Sequence, residues 1–316
     1  MANGDINARA QSGFSKAAAY DQHRPSYGPA SVQLLLEQCR VAGVKHAKVL
    51  DLAAGTGKLT ELLAARDEQF EVLAVEPHDG MRDVLAGKKL SGVAVRPGTA
   101  AKIDVPDESI DAVLVAQAFH WFASMDTLKE LHRILKPHGM LGMIWNIEDY
   151  NAPQSHKATT AWEGKLNDLI CRYPRRCAIG HNSRFAGTFE DNEPRFRHEK
   201  WRDVFDQQIK STPLTLIVAA DPLFSLPLGE NEEHFESWLA KDKVWERFST
   251  LSQIAELEGE DRERTHKTFL DAVNGSDVET NSNGEVAIHG RTISVWTSKV
   301  PADGRNTLTG VERVES

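Results

Sequence analysis

The sequence predicts an α/β protein built on a doubly wound, mostly parallel sheet with helices on both faces. Three observations carry this expectation. Five strand-forming runs are interleaved with helical patterns between residues 48 and 146, and such alternation calls for right-handed crossovers within one parallel sheet. The first run passes into its helix through a turn of small residues, "AAGTG" (53–57). Hydrophobic residues make up 41% and charged residues 26% of the 316 positions, enough apolar material for one large domain or one domain carrying a sizeable insertion.

The elements follow in order. Residues 1–14 are small and polar and read as a mobile N-terminus. A helical pattern begins at Ser15, is interrupted by Pro25, and resumes near Pro29 to end at Gly43. "KVLDLA" (48–53) is a buried strand, "KLTELLAAR" (58–66) a helix, "EVLAVEP" (71–77) a strand and "DGMRDVLAGKK" (79–89) a helix. "GVAVRPG" (92–98) and "SIDAVLVAQA" (109–118) are the third and fourth strands. "MDTLKELHRILKPHG" (125–139) is a helix and "MLGMIWN" (140–146) the fifth strand. The regularity stops there, so the core runs from 15 to 146. Residues 147–265 mix helical stretches rich in Trp and Phe with charge and Pro turns, and read as a variable, mainly helical insertion that binds substrate. Residues 266–301 supply a closing helix and strands, including "VAIHGRTISVWTSKV" (286–300), and residues 302–316 a disordered tail.

Charge and composition exclude several classes. Asp plus Glu number 46 against 37 Lys plus Arg, a net charge of -9, which argues against broad binding to nucleic acid. No window approaches the ~20 apolar residues of a membrane span, and the first residues contain no apolar core of signal-peptide length. Cys39, Cys171 and Cys177 are too irregularly spaced for a disulfide framework or a zinc site. A cytoplasmic, soluble protein, monomer or homodimer, is the expectation.

A glycine turn between strand and helix brings backbone N–H groups up to a ligand without side-chain obstruction. A Walker loop requires Ser or Thr after Gly-Lys, and Leu59 follows Gly57-Lys58. A dinucleotide loop requires a third glycine where Thr60 stands. What remains is an acidic residue followed by alternating small ones: Asp51, Ala53, Gly55, Gly57. With Glu76 ending the second strand about 20 residues beyond the loop, with "GTAAKIDVPDESIDAVLVAQAFHWF", "LKELHRILKPHGMLGMI" and the early "AAAYDQHRPSY", the chain resembles the class I S-adenosylmethionine (SAM) dependent methyltransferases. Within them it is similar to the type 11, UbiE-like group and to trans-aconitate methyltransferases. The resemblance covers residues 15–146 and the closing strand near 290–299. Ala53 departs from the family pattern, which has glycine there.

The resemblance implies a Rossmann-like fold with an N-terminal lid helix, SAM as cofactor, S-adenosylhomocysteine as product, and no metal. It implies a cofactor site formed by Tyr20, Asp51, Ala53, Gly55, Gly57, Glu76, Pro77, Thr99, Ala100, Ala101, Ala116 and Gln117. Asp51 acts near the amino and carboxylate end of SAM, Glu76 accepts the ribose hydroxyls, and Tyr20 closes over the carboxylate. Related chains hold Asp at the place of Thr99, so here a hydroxyl or the Ala100 and Ala101 backbone serves the adenine. Gln117 either faces the methyl-donor end or is a buried amide bonded to backbone. His120 is a candidate general base or hydrogen-bond donor, and Trp121 a candidate for cation–π contact with the sulfonium; core packing is the plainer reading of "FHWF". Gln117, His120 and Trp121 are the catalytic candidates; Arg24, Tyr27, His120, Trp121 and Trp145 are the substrate candidates. Arg172, Arg175, Arg176 and Arg184 are a solvated basic patch or, as a set, a clamp for an acidic substrate.

The Asp/Asn-Pro-Pro-Tyr motif of amino methylation on DNA is absent, "AQAF" standing in its place. The expected acceptor is a diffusible small molecule held between the core and the aromatic-rich segment containing Trp162, Trp201, Phe224, Trp238 and Trp245, with a carboxylate or hydroxyl oxygen favoured over carbon. Two other readings stay open: a SAM-binding fold with a non-methylating reaction such as cyclisation, and a non-catalytic binding subunit.

Overall fold

A computed structural model describes residues 21, 24–172, 194–209, 222–255 and 257–301. Their strands are β1 (Lys48–Leu52), β2 (Glu71–Val75), β3 (Val93–Arg96), β4 (Ile110–Ala116), β5 (Leu135–Glu148), β6 (Gly229–Leu239) and β7 (Val286–Ser298). The longer helices are α1 (Pro29–Gln38), α2 (Lys58–Ala64), α3 (Asp79–Gly87), α4 (Met125–Ile134), α5 (Ala161–Arg172), α6 (Lys241–Phe248) and α7 (Gly259–Val273). The strands form one sheet in the order β3-β2-β1-β4-β5-β7-β6. β1 to β5 run parallel, and β7 lies antiparallel between β5 and β6. This is the α/β fold expected, with the Rossmann-like order that reverses between β1 and β4.

Alternation along the central strands builds the two layers. Leu50, Leu52, Val113, Val115, Leu141, Met143 and Trp145 face α4, through Leu128, Leu131 and Ile134. Val49, Ala112, Leu114 and Ile144 face α1 and α2, through Val32, Leu35, Leu36, Leu59 and Leu63. Strands buried on both faces read as near-continuous apolar runs, which is why these were visible in the sequence. Ligands of such sheets bind outside the carboxyl ends of the strands where the order reverses. Here that point is flanked by the ends of β1 and β4.

Three boundaries differ from expectation. α1 stops at Gln38 rather than Gly43; Arg40 and Gly43 both take left-handed conformations, at φ 59° and 76°. α4 stops at Ile134, because Pro137 has no N–H to give and pushes Lys136 out of helical conformation; Leu135–Gly139 instead open β5, with a bulge between the Ile110 and Ala112 pairings. The third difference is β6, inside the stretch read as helical. Its sequence, "GENEEHFESWL", is acidic and poor in β-branched residues, and pairing with β7 along eleven residues decides its conformation.

The aromatic residues of the 147–265 segment serve as core. Trp162, Trp201 and Phe224 are fully buried, Trp245 packs on Phe248 and Phe269, and the Trp238 indole donates to Glu236 of the same strand. Tyr20, Cys177, Arg175, Arg176 and Arg184 and the Arg172 side chain lie outside the described residues, as do residues 1–14 and 302–316. Cys39 is buried, its thiol pushed up to about 12 by desolvation. No described helix is long and apolar enough to cross a membrane.

One buried ion pair ties the segment to the sheet. Glu148, the last residue of β5, has no solvent exposure and lies 3.8 Å from Arg247 of α6, itself 7% exposed. Removing one partner of such a pair leaves a buried charge uncompensated, a cost of about 3–5 kcal/mol. Arg247→Met should therefore lower unfolding free energy in urea by about that much. The double variant Arg247→Met, Glu148→Leu should recover most of the loss.

Candidate active site

The turn after β1 is held in shape from outside. Ala53, Gly55 and Gly57 take left-handed conformations at φ 57°, 59° and 92°. A Cβ on Gly57 would stand 2.3 Å from Leu85 Cδ1, whereas one on Gly55 would meet only Met81 Sδ at 3.7 Å. Gly57 is thus required by packing as well as by φ, and Gly55 by φ alone, with its outward side clear. Ala53 occupies a region that disfavours any side chain, so the departure from glycine is a strained one.

Two buried carboxylates flank this turn. Asp51 has no solvent exposure; its Oδ2 accepts from Thr60 Oγ1 at 2.6 Å, and its Oδ1 has no partner. Burial pushes its carboxyl up to about 7, the Thr60 hydroxyl opposes this, and the Glu76 charge adds to it. Glu76, 5% exposed, accepts from Gly55 N–H and His78 N–H, both at 2.8 Å. Burial also raises its carboxyl, against those two N–H groups. Arg82 Nη1 donates to the carbonyls of Glu76 and Pro77 at 3.0 and 3.3 Å, fixing the chain as it leaves β2. Asp21 pairs with Lys88 at 3.0 Å and Lys58 at 3.8 Å, which brings the chain before α1 to the start of α2.

These residues fit SAM. An orphaned buried carboxylate oxygen on Asp51 asks for a donor such as an ammonium group. Each Glu76 oxygen has capacity left to accept a ribose hydroxyl. Farther along, Thr99 bridges to Lys102 and Ala100 is buried, while Ala101 is exposed.

Beyond β4 the structure has a partly open cavity of about 80 Å³. Arg24, Gln117, His120, Trp121, Arg195 and Arg197 line it, with Thr250 to Gln253 on another wall, and no described carboxylate does. Four of the predicted residues, Arg24, Gln117, His120 and Trp121, are thus brought together. Gln117 turns through φ 59° and its Nε2 donates to Asn146 O at 2.8 Å, so its amide is committed to the backbone as well as facing the cavity. His120 Nδ1 accepts from Trp145 Nε1 at 3.2 Å. Burial, with the nearby charges of Arg195 and His198, pushes the His120 imidazole down to about 3.

Two substrate candidates do not line it: Tyr27 is 6% exposed and packs in the α1 layer of the core, and Trp145 has no exposure and lies against His120 and Phe196, which do line it. Three residues were missed. Arg195 and Arg197 stand in "EPRFRHEKW", which carries no signal beyond ordinary surface charge. Asn146 donates through Nδ2 to Ser26 O at 3.0 Å and accepts from Thr292 Oγ1 at 2.7 Å, so it joins the chain before α1, β5 and β7 beside Gln117. A polar residue at the end of an apolar strand was the signal available for it.

Comparison with known proteins agrees with this geometry. Residues 50–143 match the profile of the methyltransferase domain family. An uncharacterised methyltransferase of Schizosaccharomyces pombe is 40% identical over 154 residues, 48% of this chain and 60% of its own. An uncharacterised methyltransferase of Mycobacterium bovis is 44% identical over 158 residues, 50% of this chain and 58% of its own. The malonyl-[acyl-carrier protein] O-methyltransferase of Methylococcus capsulatus is 33% identical over 122 residues, 36% of this chain and 44% of its own. The chain thus spans about three fifths of the length of the first two relatives.

Two stability measurements test the turn. Ala53→Gly relieves a left-handed alanine, about 1–2 kcal/mol, against about 0.5–1 kcal/mol for a freer unfolded chain; thermal unfolding should show a net gain of about 0.5–1 kcal/mol. Asp51 stays protonated up to about pH 7 in the fold but only to 3.8 as a free side chain. Its stabilisation is therefore complete below its unfolded value and is lost as pH rises through about 7. Asp51→Asn should be more stable than the parent by a few kcal/mol at alkaline pH, the gain vanishing in acid.

Proposed function

We propose that this chain, whose residues 50–143 belong to the methyltransferase domain family, uses SAM to methylate an oxygen of a small acidic molecule. The observation that carries the acceptor class is the cavity lined by Arg24, Arg195 and Arg197. Guanidinium groups pair with carboxylates in a planar, bidentate manner. The name of the Methylococcus relative, an O-methyltransferase, supports an oxygen acceptor. The net charge of -9 supports a diffusible acceptor in the cytoplasm over nucleic acid.

The bound cofactor would supply an electrophilic methyl on a sulfonium and leave as S-adenosylhomocysteine. The chain's own residues bind and orient. Gly55 and Gly57 admit the ligand to the backbone, Glu76 holds the ribose hydroxyls, and Asp51 faces the ammonium. The arginines hold the acceptor carboxylate, already ionised at neutral pH since its ordinary value is about 4. Positioning the two reactants in line lowers the barrier by several kcal/mol through entropy lost beforehand.

Calorimetric titration with SAM and S-adenosylhomocysteine should give micromolar binding of both, and Glu76→Ala should weaken SAM by about 1–3 kcal/mol. S-adenosylhomocysteine should form with carboxylic acids and not with their amides. Absence of SAM binding would leave a non-catalytic fold; binding without S-adenosylhomocysteine formation would favour a non-methylating reaction.

A further inference from the structure

Trp145 lies on β5 against Phe196 and Trp201, with ring centroids 4.9 Å away in each case, and those two rings stack on each other at 6.1 Å. Its indole N–H points at His120 Nδ1. An indole nitrogen can only donate. The bond exists only while Nδ1 keeps a lone pair, and that requirement puts the ring proton on Nε2. Protonation of Nδ1 would set a donor against a donor and strand a buried N–H. The charges around the ring act in the same direction. Arg195 and His198 are its electrostatic neighbours, Arg24 and Arg197 line the same cavity, and no described carboxylate lines it to favour an imidazolium.

We infer that Trp145 is a positioning residue that locks His120 as a neutral Nε2–H donor, one that cannot serve as a general base. The choice between base and donor left open by the sequence is thereby made by a residue with no contact to the cavity. A hydroxyl acceptor would find no proton acceptor in His120, whereas an ionised carboxylate needs none and can take a hydrogen bond from Nε2–H. This consequence rests on the methyl-transfer reading; the lock itself does not.

The test is NMR of the full chain labelled with ¹⁵N-histidine, with the His120→Gln spectrum assigning the ring. Long-range ¹H–¹⁵N correlations should show His120 protonated at Nε2 and bare at Nδ1 from pH 8 down to pH 5, without titrating. A proton on Nδ1, or an imidazolium forming near pH 6, would overturn the inference. Trp145→Phe keeps a ring in the stack and removes the donor. It should yield a mixture of tautomers and move the His120 titration up toward the ordinary histidine range. An unchanged spectrum and titration would take the role away from Trp145. Should that variant fail to fold, the parent spectrum alone still decides the tautomer. Neither SAM nor acceptor is needed, so a failed lock is distinguishable from failed SAM binding in the calorimeter.

Discussion

The turn between β1 and α2 hangs from one buried carboxylate. Glu76 takes N–H groups from both Gly55 and His78 at 2.8 Å, and so clips the turn after β1 to the end of β2. A turn with three left-handed residues, two of them glycine, loses more freedom on folding than most segments of its length. Two charge-assisted bonds from a desolvated acceptor offset part of that loss. The sheet sets this up. β1 and β2 pair in parallel with Leu52 opposite Val75, so the next residue on each chain is Ala53 and Glu76, and the acid arrives beside the turn it holds.

Asn146 plays the corresponding part at the cavity. Its side chain joins Ser26 to Thr292, and its carbonyl takes the Gln117 amide. The chain bearing Arg24, the end of β4 and the antiparallel β7 are thereby registered to one residue of β5. The Glu148–Arg247 pair extends the same strand to α6, the helix that leads into Thr250 to Gln253 at the cavity. The cavity is thus built from segments far apart in sequence, each fixed to the last residues of β5.

That difference explains what could be read from the residues alone. The turn is local: Asp51, Gly55, Gly57 and Glu76 lie within two strand-turn units, where spacing along the chain and position in space coincide. His120, Trp121 and Gln117 follow a strand end and come together at the cavity for the same reason. Arg195 and Arg197 reach the cavity by tertiary packing, which no periodicity records. The burial of Tyr27 and Trp145 was not legible, because an aromatic near a strand end or helix start serves core and cavity with the same local pattern. β6 escaped because edge strands tolerate polar, charged sequences, and only its partner β7 makes it a strand.

The turn and the cavity carry opposite electrostatics, and the proposed reaction draws on that contrast. Burial raises the carboxyls of both Asp51 and Glu76, and a cationic ligand would favour their ionised forms. Three arginines line the cavity. A cation held by acids and an anion held by arginines would meet where β1 and β4 end. Transfer of a methyl from a sulfonium to a carboxylate turns two charged groups into two neutral ones. Desolvation raises the energy of separated charges more than that of a transition state in which they cancel. A neutral His120 suits such a site: an imidazolium would compete with the arginines for the anion, whereas an N–H donor adds to their hold without adding charge.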